Sequence, residues 1–310
     1  MRHFPVPITT TIPDPAVSKR SLDVSAVAML VLLCASWGAQ QVSVKIALPA
    51  FPPFLQMGIR SAGASLLVLL YCLAARRGKL FVRDGSLWLG IFSGLLFSGE
   101  FVLIYLGLQW TDASRTSLFL YTAPFFVALG ATWLLPSERL RWPQWAGLAL
   151  SFCGTAIVMG VPHAATSPHA LLGDLMIIAA AVFWAATTLA IKATRLAAVP
   201  PEKVLLYQLA VSAAIGLGAA AATGESMGTL GFAPVMALTY QTVWIAAITF
   251  LLWLRLLTLY PASTLQAGTS MSPLFGVAFA ALILHEPLGP LFLLAVALVV
   301  SGLILVNRRG

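Results

Sequence analysis

Two ionisable residues stand deep inside apolar stretches of this 310-residue chain: Arg60 in "PFLQMGIRSAGASLLVLL" and Glu100 in "FSGEFVLIYLGL". A charge in such a setting is costly and is a functional candidate by default. Counted from the nearest chain breakers the two lie at similar depth. Two roles are therefore open: a buried ion pair joining neighbouring helices, or contact with a charged group of a bound molecule, with Glu100 also able to take up a proton. Around them stand aromatic and uncharged polar residues: Trp37 with Gln40 and Gln41 one turn on, Trp184, Tyr105, Tyr121, Tyr207 and Gln208. An indole or amide in mid-run needs a partner or a cavity to face. These types suit reversible binding of a small polar molecule with an apolar body. Catalysis is poorly served. The four histidines (His3, His163, His169, His285) fall in a tail, a loop or a helix end, no aspartate pair lies in mid-run, and no GxxxxGK[ST] is present. "HEPLG" lacks the second histidine of a zinc motif, and Cys34, Cys72 and Cys153 are too scattered for a ligand set. No enzyme, cofactor or metal is implied.

The elements that position these residues follow from composition. Hydrophobic residues make up 60% of the chain and charged ones 9%, against about 25% charged in soluble domains. Lipid must therefore be the solvent for much of the surface. Ten apolar runs of near-spanning length are visible: 25–47, 53–75, 86–108, 113–135, 143–160, 171–192, 203–222, 234–256, 262–284 and 289–306. Backbone in lipid must bond to itself, so these runs predict helices and an all-α membrane protein. Lysines and arginines sit in the short gaps, as membrane topology requires, and not on one nucleic-acid-binding face. With residues 1–24 as a cytoplasmic tail, the basic gaps (Lys19 and Arg20, Arg76 to Arg83, Arg139 and Arg141, Lys192 to Lys203, Arg255, Arg308 and Arg309) all fall on the inner side. Both termini are then cytoplasmic.

A repeat organises the runs. "WGAQQVSVK" (37–45) is echoed by "WAATTLAIK" (184–192), "FPPF" (51–54) by "VPPE" (199–202), and "DAS" (112–114) by "PAS" (261–263). "APFFVALGATWLLPSE" (123–138) is echoed by "SPLFGVAFAALILHE" (272–286), and Pro143 by Pro290, all at offsets of 147 to 149 residues. Two five-helix halves result, over 25–160 and 171–306. Five is odd, so the second half enters from the opposite face, an inverted repeat of the kind found in secondary transporters. Gln208 takes the place of Arg60 in the second half. Lys45 and Lys192 fall at matched helix ends, where snorkelling to headgroups competes with a gating role at opposite mouths. Pro124 and Pro273 lie inside matched helices and serve either as hinges or as static kinks.

The stretches "LCASWGAQQVSVKIAL", "ALGATWLLPSERL" and "AFAALILHEPL", on ten helices in two halves, resemble the EamA branch of the drug/metabolite transporter superfamily. "FSGEFVLIYLGL" and "VFWAATT" resemble the amino-acid exporters of the YddG type within it. The resemblance implies a multi-pass protein of the bacterial inner membrane that exports small metabolites. Its first four helices of each half would enclose a central cavity and its fifth would be peripheral. An amino-acid exporter working by alternating access is the expectation, with one site per chain, which is compatible with a monomer and leaves the oligomeric state open. A carrier of cationic drugs or of nucleotide sugars is the alternative. One arginine and one glutamate suit a zwitterion.

Overall fold

A computed structural model describes residues 22–76, 82–135, 140–159, 168–285 and 292–307. Most of the expected tail (residues 1–21) and the basic or proline positions Arg77, Lys79, Arg139, Pro287, Pro290, Arg308 and Arg309 lie outside the described residues. Among the described residues the chain is helical, without strands. The helices are α1 (Val24–Ala47), α2 (Pro53–Ala74), α3 (Leu87–Gly107), α4 (Ala113–Leu120), α5 (Ala123–Leu134), α6 (Trp142–Met159) and α7 (Ala170–Ala193). They continue with α8 (Pro201–Thr223), α9 (Phe232–Thr239), α10 (Phe250–Leu259), α11 (Ala262–Gly268), α12 (Ser272–Leu284) and α13 (Phe292–Asn307). Seven helical stretches are long and apolar enough to cross a membrane, and Ala123–Leu134 is a shorter apolar helix.

The expected ten runs and these seven stretches differ for local reasons. Run 113–135 is divided: α4 ends at Leu120, a turn at Tyr121 and Thr122 intervenes, and α5 restarts with Pro124 in its first turn. Proline has no N–H to give and is at home there. Run 262–284 divides in the same place, with a 3-10 turn over Thr269–Met271 and Pro273 in the first turn of α12. Pro124 thus starts a second half-helix after a turn, while Pro273 follows a 3-10 turn inside the helical stretch Ala262–Leu284. The first turn of α6, Trp142 to Trp145, carries a proline and a glutamine that dilute its apolar run, and α13 has 16 residues. The stretch Phe232–Leu259 departs from α geometry between Tyr240 and Thr249, where ten residues wind as a π-helix. Wider π turns are rare and gather at functional sites.

Packing pairs the two parts of the chain. The main contacts join α2 to α8, α3 to α7 and α8, α1 to α12 and α9, and α5 to α7, while α6 and α13 pack chiefly on each other. Glycine permits the closest crossings. A Cβ on Gly38 would lie 2.6 Å from the backbone nitrogen of Gly276, and one on Gly216 would lie 2.7 Å from that of Gly58. Those distances leave no room for a methyl group, so α1 crosses α12 and α2 crosses α8 backbone to backbone. Gly90 and Gly94 of α3, a GxxxG pair in the sequence, likewise receive Tyr207 and Val211 of α8.

Polar ties fix the direction of the helices. At one end of the bundle Lys192, closing α7, donates to the carbonyl of Tyr260 at 2.8 Å, and the Tyr260 hydroxyl donates to Asp23, the N-cap of α1, at 2.9 Å. At the other end Lys45, closing α1, lies 3.6 Å from Asp112 before α4, and Arg115 in the first turn of α4 pairs with Asp174 in α7. The end of each of α1 and α7 meets the start of the other, so these two helices run antiparallel.

Candidate functional site

The central cavity lies among α1, α3, α7, the start of α10 and both helix breaks. Trp37, Gln40 and Gln41 enter from α1, Glu100 and Phe101 from α3, Trp184 from α7 and Phe250 from α10. The breaks contribute Tyr121 and Pro124 on one side and Gln266 and Thr269 on the other. Its volume is about 40 Å³, room for a few water molecules at roughly 10–15 Å³ each. A metabolite of any size requires the walls to move apart.

The two echoed tryptophans meet here. Trp37 and Trp184 stand edge to face with ring centres 5.4 Å apart, and Trp253 approaches both, at 5.4 Å and 5.8 Å. Phe250 joins Trp37 at 6.0 Å and Trp184 at 6.2 Å, and Phe97 and Phe101 extend the cluster. Such offset and T-shaped pairs add about 0.5–1.5 kcal/mol each beyond area burial. The Trp37 indole N–H donates to Thr249 Oγ1 at 3.0 Å, at the end of the π segment. Two more residues of that segment reach α1: the Tyr240 hydroxyl bonds the Ser36 carbonyl and the Trp244 indole bonds Ser36 Oγ, both at 2.9 Å. The π winding thus clamps the turn of α1 that carries Trp37.

Glu100 is 1% exposed and faces the cavity, and its Oε2 has no hydrogen-bond partner. Of the two roles that the sequence leaves open, the Arg60–Glu100 ion pair is not found among the described residues. Arg60 turns away from the cavity, its guanidinium carbon 3.8 Å from the ring centre of Phe101 and its Nη1 donating to Tyr105 Oη at 3.3 Å. Depth along a helix sets height, but the azimuth decides which neighbour a side chain meets. Tyr105 is fully buried and donates to Gln241 Oε1 at 2.8 Å, which also accepts from Gln56 Nε2. Arg60 and Tyr105, expected at the site, thus belong to a buried polar group behind it.

Other expected residues separate as well. Gln208 is buried, bonds Ser93 Oγ at 3.0 Å and lines a smaller neighbouring pocket with Trp184 and Phe250. Tyr207 meets Ser86 Oγ at 3.1 Å, away from the cavity. Ser86 there donates to Asp84, and Lys203 Nζ donates to Asp84 Oδ2 at 2.8 Å. The Lys203 ammonium, with the Ser86 hydroxyl, holds the Asp84 carboxyl well below the usual carboxylate range. Lys45 and Lys192 lie at the two ends of the bundle, and Pro273 lies behind the second break. Of the residues singled out in the sequence, Trp37, Gln40, Gln41, Glu100, Tyr121, Trp184 and the expected hinge Pro124 line one cavity, together with Phe101, Phe250, Gln266 and Thr269, which the sequence reading did not single out. Gln266 carried a signal, being the one amide in run 262–284.

A family model described as the EamA-like transporter family matches the chain twice, over residues 24–160 and 171–308. A Bacillus subtilis protein known only as the uncharacterized transporter YetK is 27% identical, over 86% of this chain and 82% of its own. An Escherichia coli protein named as a probable amino-acid metabolite efflux pump is 25% identical, over 89% of this chain and 92% of its own. A crystal structure with 22% identity superposes with a TM-score of 0.73, covering 90% of this chain and 94% of that one. That last likeness speaks to the fold alone.

Proposed function

Because this chain belongs to the EamA-like transporter family, we propose that it is a secondary transporter of the bacterial inner membrane that exports amino acids with apolar or aromatic side chains. One observation carries the reading: Trp37 and Trp184, matched positions of the two family units, close on a single cavity that also holds Glu100. A site shared by two repeats near mid-membrane is the plan of alternating-access carriers. The substrate's side chain packs on the indoles and its charged end meets Glu100. The name borne by the Escherichia coli relative, and by a Salmonella typhimurium protein 26% identical, fits that substrate class. A nucleotide-sugar carrier fits less well, since no cationic side chain is among the described lining residues.

The membrane plan we propose has ten crossings in two inverted halves, over 25–160 and 171–306, preceded by a cytoplasmic tail at 1–24. The seven long stretches, the divided run 113–135, and α6 and α13 supply ten. The antiparallel course of α1 and α7 supports the inversion. Lys45 with Asp112 closes the outer mouth and Lys192 with Tyr260 the inner one, and the breaks at Pro124 and Pro273 let the cavity walls part. Tyr121, Gln40 and Gln41 complete the binding surface.

Counterflow in proteoliposomes tests the reading. Vesicles preloaded with unlabelled tryptophan, threonine or methionine should take up the labelled amino acid faster than protein-free vesicles. Trp184→Ala should abolish the gain while the protein still melts cooperatively. Acceleration by no amino acid would overturn the reading.

A further inference from the structure

Two buried acceptors on the cavity wall lack a donor among the described residues: Glu100 Oε2, on a residue 1% exposed, and Gln41 Oε1, on a residue 4% exposed. Leaving such atoms unpaired in a low-dielectric interior costs free energy that a ligand's N–H groups can recover. Three other lining groups have spent donors on the protein itself. Ser117 Oγ donates to the Ala113 carbonyl, Thr269 Oγ1 to the Gln266 carbonyl, and Gln266 Nε2 to Thr188 Oγ1. The wall carries one ionisable acid among the described lining residues, the carboxyl group of Glu100. Arg60, the cation that would answer a substrate's carboxylate, is held outside by the Phe101 ring and the Tyr105 hydroxyl. Five aromatic rings, those of Trp37, Phe101, Tyr121, Trp184 and Phe250, enclose the space, and such faces attract organic cations.

We infer that this cavity recognises its substrate through a primary ammonium group, shared between Glu100 and Gln41, and does not read a carboxylate. The inference rests on the cavity being the transport site. It widens the substrate class from amino acids to amines with a flat apolar body, in which amino acids are the members whose carboxylate the site tolerates. Three donors on one nitrogen can serve both orphan acceptors, whereas a substrate carboxylate would be set against the carboxyl group of Glu100. Glu100 supplies the counter-charge, Gln41 the direction, and the indoles hold the body of the molecule.

Three probes with one indole body separate the possibilities: tryptamine, tryptophan and indole-3-propionate, which carry an ammonium, both groups and a carboxylate respectively. Each is loaded into wild-type proteoliposomes, with protein-free vesicles as the blank, and its own labelled form is supplied outside. Tryptamine should exchange at least as fast as tryptophan, and indole-3-propionate about tenfold or more slowly, the size expected when a charge-assisted hydrogen bond is lost. Glu100→Gln should slow tryptamine and tryptophan alike by about tenfold, with Glu100→Asp restoring part of the rate. Equal exchange of indole-3-propionate and tryptophan would overturn the inference while leaving the chain a transporter, as would tryptophan exchange untouched by Glu100→Gln. Should Glu100→Gln fail to fold, the wild-type probe series decides alone. If no probe and no amino acid exchanges, the transport reading falls, and the melting temperature in detergent decides the inference. Tryptamine raising it and indole-3-propionate leaving it unchanged supports ammonium recognition, and any other order refutes it.

Discussion

Trp37 and Trp184 occupy matched positions in the two family units, and their surroundings differ. The Trp37 ring is 7% exposed, touches three other aromatic rings and gives its N–H to Thr249. Trp184 is half-buried, makes no hydrogen bond through its indole among the described residues, and borders both the central cavity and its smaller neighbour. The same split runs through the rest of the echo. Gly38 lets α1 touch the backbone of α12, while the residue after Trp184 is Ala185. Lys45 meets a carboxylate, and Lys192 meets a main-chain carbonyl. Duplication has repeated the backbone plan, and the chemistry hung on it has diverged. Both tryptophans border the cavity, but Trp37 is the one built into the core and Trp184 is the more open of the two.

The comparison is broken most forcefully at the tryptophans. Trp37→Ala should destabilise the protein by about 3–5 kcal/mol, the range for a buried tryptophan truncated in a packed interior. Trp184→Ala should cost less than half of that and leave a folded protein that has lost counterflow. Denaturation in detergent, followed by far-ultraviolet circular dichroism, measures both. The reverse order of stabilities would show that the first copy is not the structural one.

Glycine tests the same contrast on a smaller scale. Gly38→Ala places a methyl group 2.6 Å from the Gly276 nitrogen and 2.8 Å from the Phe275 Cβ, and overpacking of that kind costs about 1–3 kcal/mol. Gly218 in α8 has open space around it, so Gly218→Ala should be neutral or gain up to about 1 kcal/mol from helix propensity. Similar losses at both positions would mean that α1 and α12 are not in backbone contact.

Much of this arrangement is legible in the residues, and what escapes does so for physical reasons. Apolar runs announce helices because lipid tolerates no unpaired backbone. Pro124 and Pro273 mark the breaks because the missing N–H belongs in a first helical turn. The echo itself points to Trp37 and Trp184. Arg60 misleads because its sequence position fixes height and says little about the neighbours, Phe101 and Tyr105, toward which it turns. Phe101 and Phe250 are silent because a phenylalanine in an apolar run looks the same facing lipid, core or cavity. The π winding over Tyr240–Thr249 has no signature either. "YQTVWIAAIT" contains neither proline nor glycine, and the winding is held by bonds to α1, which no local rule foresees.

The lysine ties offer a finer test. Lys45 and Asp112 lie 3.6 Å apart with side chains 26% and 35% exposed, and exposed pairs of this kind contribute between zero and about 1 kcal/mol. Asp112→Asn should therefore lower stability by less than about 1 kcal/mol at low salt. Raising the ionic strength should shrink that difference, since mobile ions screen an exposed pair. The Tyr260 carbonyl that Lys192 meets is main chain and is not removed by a substitution, so the contrast is read from Asp112. A loss that persists undiminished at high salt would place this tie among buried structural bonds, and the two ends of the bundle would then be alike.

The smallest effect concerns pH at the end of the bundle that carries Lys192. Asp84 accepts from Lys203 Nζ at 2.8 Å and from Ser86 Oγ at 2.6 Å, and both bonds favour its charged form. Its folded-state pKa is thus depressed below that of the unfolded chain, about 4 for an aspartate. The sign of the linkage follows. The stabilisation is fully present above the unfolded value and is lost progressively as pH falls through that value toward the folded one. Wild-type protein should therefore lose melting temperature between about pH 5 and pH 3 more steeply than Asp84→Asn, which has no proton to take up at this position. At pH 7 the variant should melt slightly lower than wild type, because Lys203 keeps Val82 as an acceptor at 2.8 Å and the Asp84 side chain is one-third exposed. Curves that run parallel through this range would show that the Lys203 bond does not hold the carboxylate in solution. The link between α8 and the segment before α3 would then rest on Tyr207 and Ser86.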